Sequence, residues 1–139
     1  MAAQTGEIQR IGWALPESAP NKAHTVLAGQ TLWAGSVSMM VAGKVRTYVS
    51  GTVGSSLGGV QYRTYVAGGA DLVLPEGEPV VMKRGVFGFL GATGDLPTET
   101  EIGKTVYFAD NNTVKKTMAA NDLGGTLRDI QGGYFWVEI

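Results

Sequence analysis

Cysteine is missing from this chain altogether, and histidine occurs once, at His24. The first absence excludes disulfides and thiolate metal sites, so nothing points to an oxidising compartment. The second removes the commonest general base, and hydrolysis by an activated nucleophile needs a base at hand. A lone His in a polar, proline-flanked segment reads as a solvated surface residue. Zinc needs three or four convergent ligands, and no His/Cys/carboxylate spacing supplies them. The carboxylate pairs Glu76 with Glu78 and Glu99 with Glu101 lie in turn or loop sequence, where acidic side chains mainly keep edges soluble. "DNNT" offers oxygen donors to calcium, but the spaced loop ending in Glu is missing. "GSSLGG" and "GGTLRD" lack the lysine and the helix that a phosphate cradle requires. The residues therefore predict no catalytic group, no metal and no cofactor, in a protein that is not an enzyme.

Charge is also scarce, at 17% of the 139 residues, and nearly balanced: 11 basic against 12 acidic side chains, net −1. A general grip on nucleic acid needs concentrated positive charge, so direct nucleic-acid binding is not expected. The only basic doublets, Lys83-Arg84 and Lys115-Lys116, read as solvated strand faces. No apolar run approaches the ~18 residues of a membrane-spanning helix, so no membrane partner is expected. The opening "MAAQTGEIQRIGW" lacks a basic region followed by an apolar stretch, which predicts no secretory signal and folding in a reducing cytoplasm.

Glycine is abundant instead, 21 residues, about twice its usual share. With β-branched and aromatic residues between the glycines, the pattern predicts an all-β fold: a compact β-barrel or β-sandwich-like domain of short strands and tight turns. Residues 1–28 show no sustained period, and Pro16 and Pro20 disfavour a helix. We read them as an extended N-terminal arm with anchors Ile8, Ile11, Trp13 and Leu15, preceding a single β domain over 29–139. Trp13 either folds back onto its own domain or plugs into a neighbouring subunit.

Within the domain, "SVSMMVAGKVRTYV" divides at Ala42-Gly43, a tight turn. Arg46 and Tyr48 then share one face of the following strand, Val45, Thr47 and Val49 the other. "GTVGSSLGG" reads as a mobile loop. "RTYV" occurs at 46–49 and again at 63–66, so Arg46, Tyr48, Arg63 and Tyr65 are candidate partner-contact residues. "PEGEP" is a turn, "VVMK" and "GVFGFL" are short apolar strands, and "TGDLPTETEIG" is a loop with at most one helical turn. "GKTVYFADNNTVKKT" is a hairpin whose Asp110-Asn111-Asn112 tip suits positive φ. It serves as scaffold or as a recognition tip. "TMAANDLG" is the best helix candidate, and two strands, about 123–130 and 134–139, close the chain around Gln131-Gly132-Gly133.

The order of these motifs is what looks familiar. "VLAGQTLWAGSVSMMVAGKV", "LPEGEPVVMKRGVFGFL", "EIGKTVYFADNNTVKKT" and "NDLGGTLRDIQGGYFWVEI" succeed one another over roughly residues 25–139. That succession resembles the small capsid decoration, or cement, proteins of tailed bacteriophages. Its strongest elements are Gly85-Val86-Phe87, Gly103 with Val106-Tyr107-Phe108, Gly124, Gly132-Gly133 and Val137. The long arm and the stretch "KVRTYVSGTVGSSLGGVQYRTYVAG" depart from the family pattern. The resemblance implies a structural virion protein on the capsid exterior, made in the host bacterial cytoplasm. It implies a homotrimer that binds the major capsid protein and fastens its subunits together. Rival readings are a carbohydrate- or receptor-binding module stacking sugars on Trp33, Trp136 and tyrosines, and a tail-associated structural barrel.

Overall fold

A computed structural model of the chain describes Gly6, residues 12–13 and residues 20–139. It is almost entirely β, with curled sheets and one turn of 3-10 helix at Glu99–Glu101 among the described residues. The strands in chain order are β1 (Gly12–Trp13), β2 (Asn21–Ala23), β3 (Thr25–Val26), β4 (Thr31–Leu32) and β5 (Val37–Val41). There follow β6 (Lys44–Thr47), β7 (Ser55–Gln61), β8 (Tyr65–Val66), β9 (Leu72–Val73) and β10 (Val80–Lys83). The last five are β11 (Val86–Gly91), β12 (Thr105–Phe108), β13 (Thr113–Lys115), β14 (Gly124–Gln131) and β15 (Tyr134–Glu138).

One sheet runs β1-β11-β13-β12-β14-β15, and β15 also pairs with β11. β11 is long enough to serve two partners: Val86 to Phe89 face β15, while Leu90 and Gly91 run parallel to β13. The pairings of β11, β13, β12, β14 and β15 thus close into a ring. A second sheet runs β2-β10-β7-β5-β6-β3-β9, and β4 with β8 forms a small third one.

Alternation along the strands distributes the apolar side chains between two cores. The first holds Phe87, Phe89, Val106, Phe108, Val114, Leu127, Phe135 and Val137 from the curled sheet, with Val37, Met39 and Val60 from the seven-stranded one and Tyr48 from just after β6. Phe89 and Tyr48 both meet the Phe108 ring edge-on, with centroids 5.0 and 5.7 Å apart. The second core holds Ala23, Val26, Leu32, Val45, Ala67, Val80 and Met82. Along β5 and β6 the faces separate in register: Met39 pairs with Arg46, and Met40 with Val45. The seven-stranded sheet therefore has apolar contacts on both faces.

Several expected elements stand where the sequence places them. Ala42 and Gly43, at φ 52° and 78°, make the two-residue turn between β5 and β6, and Gly132 and Gly133, at 65° and 81°, the one between β14 and β15. Such paired positive-φ turns match the twist of a hairpin. Three expectations change. "GSSLGG" is strand β7: with Ser38 paired to Gly59 and Met39 to Leu57, Gly58 is the extra residue of a bulge. A Cβ on Gly58 would lie 2.6 Å from Met82 Sδ, and one on Gly59 2.5 Å from the Lys83 carbonyl oxygen. These glycines let β10 approach. "TMAANDLG" is a turn, not a helix; the positive φ there belongs to Asn121, at 63°. The expected arm is shorter at its end, because residues 21–26 pair into the second sheet and bury Ala23 and Val26. Ile8, Ile11 and Leu15 lie outside the described residues.

The Asp110-Asn111-Asn112 tip is an internal staple, with no positive φ at these residues. Asp110 Oδ1 accepts from the Asn112 N–H at 2.8 Å, an Asx turn. Buried Asn111 accepts from the Val37 N–H at 2.9 Å through its carbonyl and donates through Nδ2 to Thr47 Oγ1 at 3.0 Å. It joins the curled sheet to β5 and β6. Asn111→Ala leaves Thr47 Oγ1 without that donor and opens a small void. Thermal unfolding is expected to show a loss of about 1–2 kcal/mol.

Candidate functional site

The end of β7 is clamped from both sides. Buried Gln61 donates its N–H to the Ser36 carbonyl at 2.8 Å and accepts from the Gly35 N–H at 3.0 Å. Its Oε1 accepts from Ser38 Oγ at 3.0 Å. Three residues on, Thr64 Oγ1 accepts from the Ala34 N–H at 3.0 Å. Between these fixed points the chain turns Tyr62 and Arg63 outward, Tyr62 at 53% exposure. Lys83 Nζ stands 4.3 Å from the centre of the Tyr62 ring and Arg63 Cζ 5.6 Å, both within cation–π range.

Facing this loop is the turn before β10. Gly77, at φ 87°, and a backbone bond from the Glu78 N–H to the Pro75 carbonyl at 3.1 Å hold it in shape. Tyr65 and Leu74 are anchored on the second core, and the Tyr65 hydroxyl reaches the Pro79 carbonyl at 3.5 Å. Together these residues line a cleft of about 430 Å³. That falls in the range of roughly 300–1,000 Å³ usual for small-molecule sites. Its lining is half aromatic and aliphatic, with Arg63 and Glu78 as the charged groups. Among the described residues the ion pairs are Lys44–Asp71, Lys115–Asp122 and Arg128–Glu138, so Arg63, Lys83 and Glu78 belong to none of them.

A second concentration of polar groups is centred on buried Asp122. Lys115 Nζ stands 2.6 Å from its Oδ2. The Ala119 N–H donates to the same oxygen at 2.9 Å, and the Gly51 N–H and Ser50 hydroxyl donate to Oδ1. Burial pushes the Asp122 carboxyl up, but the hydrogen bonds from Lys115, Ser50 and Ala119 outweigh it and hold the group below its ordinary range. The Tyr48 hydroxyl lies 3.5 Å from Asp122 Oδ1 and accepts from the Leu123 N–H at 3.2 Å. Burial, opposed by that N–H and reinforced by the Asp122 charge, pushes the Tyr48 phenol up to about 12. A phenol so placed stays protonated at neutral pH. The cluster ties the 48–51 loop to the 119–123 turn.

The two "RTYV" segments thus part company. Arg63 and Tyr65 border the cleft. Tyr48, 3% exposed, is a core residue and offers no surface for a partner contact; Arg46 is half-buried on the same face, its Nε buried without a hydrogen-bond partner among the described residues. The face shared by Arg46 and Tyr48 is real, but it is the face that meets the first core. Of the arm anchors only the Trp13 backbone is described, paired to Val86. Trp33 is half-buried, and Trp136 sets its ring edge-on to Tyr134 at 6.3 Å while its indole N–H donates to the Gln131 carbonyl at 3.2 Å. Tyr62, Leu74, Glu78 and Pro79 were not anticipated at the cleft. The one sequence signal for them is the tyrosine beside Arg63 in "QYRTY". Among the described residues no group of three or more His, Asp or Glu is placed to hold a metal ion.

Comparison with family models, curated proteins and solved structures finds no match to the chain.

Proposed function

We propose that the chain is a structural virion protein that binds the outer surface of a phage capsid, as a homotrimer, and stabilises contacts between major capsid protein subunits. One observation carries this reading: the strongest motif positions behind the resemblance gather in one structural unit. Val86 and Phe87 of β11, Val106 and Phe108 of β12, Gly124 of β14 and Val137 of β15 all belong to the curled sheet and its core, or to its ladder. A protein of this kind gains hold from many copies engaged at once, without a strong single contact. Exposed apolar side chains such as Val53, Val66, Val73 and Met118 supply area for such contacts.

Sedimentation of the purified protein with and without undecorated capsids tests the proposal. Co-sedimentation, and a trimer in the absence of capsids, are the expected results. Deletion of residues 1–20, which also removes β1, is expected to weaken capsid association more than it lowers the melting temperature. A monomer that stays in the supernatant overturns the reading, and labelling along the tail transfers the protein to another part of the virion.

A further inference from the structure

We propose that the cleft between Tyr62 and Pro79 binds a saccharide bearing a carboxylate, with one acidic sugar ring seated against Tyr62 and Tyr65. Four features point to that ligand. The first is aromatic surface held in place: Tyr65 is fixed on the second core, and the loop carrying Tyr62 is pinned by Gln61 and Thr64. A rigid wall loses little freedom when a ligand arrives, and so retains more of the contact energy. The second is cationic: Arg63 and Lys83 flank the Tyr62 ring and carry no carboxylate partner among the described residues. The planar guanidinium fork matches a carboxylate in two parallel hydrogen bonds.

The third feature is the opposite wall, where the Glu78 carboxylate can accept from sugar hydroxyls. It also discriminates: a polyanion such as nucleic acid would be repelled there, whereas a ring with a single carboxylate can place its charge at Arg63 and its hydroxyls at Glu78. The fourth is size, since about 430 Å³ suits a sugar unit rather than a protein surface. Of the tryptophans and tyrosines that the sequence suggested as a platform, the tyrosines line this cleft, while Trp136 is engaged with Tyr134 and Gln131. The inference stands apart from the capsid reading, because the chemistry of the cleft is the same whichever class the protein belongs to.

The test is nuclear magnetic resonance titration of the full-length chain with N-acetylneuraminic acid and with a glucuronate-containing disaccharide, cellobiose serving as the neutral probe. Saturable shifts are expected at residues 62–65 and 77–81 for at least one acidic sugar, with cellobiose weaker by about tenfold. Tyr62→Ala is expected to reduce affinity about tenfold, while Tyr62→Phe, which keeps the ring, retains it. Arg63→Gln is expected to abolish the preference for the acidic sugar. Tyr62 and Arg63 are exposed, so these variants keep the wild-type fold, checked by their melting temperatures. The inference is overturned if neither acidic sugar gives saturable shifts at these residues up to roughly 10 mM. It is equally overturned if cellobiose binds as tightly, or if Tyr62→Ala and Arg63→Gln bind like the parent.

Discussion

Asp122→Ala is expected to be among the most damaging single changes outside the apolar cores. The carboxylate receives Lys115, Ser50 and the N–H groups of Gly51 and Ala119, and its side chain is fully buried. Removing it leaves the charge of a lysine whose side chain is only 17% exposed, and several donors, without their acceptor. Breaking a buried pair from one side costs about 3–5 kcal/mol. Lys115 retains some access to water, so we expect about 3 kcal/mol, seen as a melting temperature lower by roughly 10 °C. The pH dependence has a definite sign. The folded-state pKa lies below the unfolded one, so the unfolded chain binds the extra proton between the two values. The stabilisation from Asp122 is therefore complete above its unfolded pKa, about 3.9, and is lost as pH falls through the lower folded value. Comparison of wild type with Asp122→Asn by denaturant unfolding should show a gap that is constant near neutrality and narrows only in acid. A gap that widens as pH falls would contradict this assignment.

Gly124→Ala is the second. Gly124 pairs with Tyr107 across β12 and β14, and a Cβ there would run into the Val106 carbonyl oxygen and lie 2.9 Å from Tyr107 Cα. Both are backbone atoms of a neighbouring strand, with no side chain to swing aside. Relief requires β12 to move, and β12 carries Val106 and Phe108 into the first core. Overpacking of a well-filled interior costs about 1–3 kcal/mol, and we place this substitution at or above the upper end. Urea unfolding measures it. Gly132→Ala is the contrasting control, because nothing lies within 4 Å of a Cβ there and only the φ of 65° opposes it.

How much of this was readable beforehand depended on whether the cause was local. The Ala42-Gly43 and Gly132-Gly133 turns were legible because a two-residue connection between alternating runs needs positive φ, and glycine supplies it. The burial of Val106 and Phe108 with Tyr107 only half-covered follows from period-two alternation alone. "GSSLGG" misled because composition records flexibility, whereas Gly58 and Gly59 serve proximity to Met82 and Lys83, more than twenty residues away. Tyr48 misled in another way. Its strand face was read correctly, but which face meets a core depends on a sheet that the local pattern does not reveal. The cleft was half visible for the same reason: Arg63 and Tyr65 stood out, whereas Glu78 and Pro79 reach it only through the pairing of β10 with β7.

The ring of strands around β11 has a kinetic consequence. The hairpins β5–β6, β12–β13 and β14–β15 join near neighbours and can assemble in about 1–10 μs. Closure is a different event, because Val86 to Phe89 must wait for residues 134–138, and Leu90 and Gly91 for residues 113–115. Such distant pairings place folding in the millisecond-to-second regime of high-contact-order β proteins. Until β15 arrives, the Phe87 and Phe89 strand stands open along one side, and that interval is when nascent chains are most prone to stick to one another.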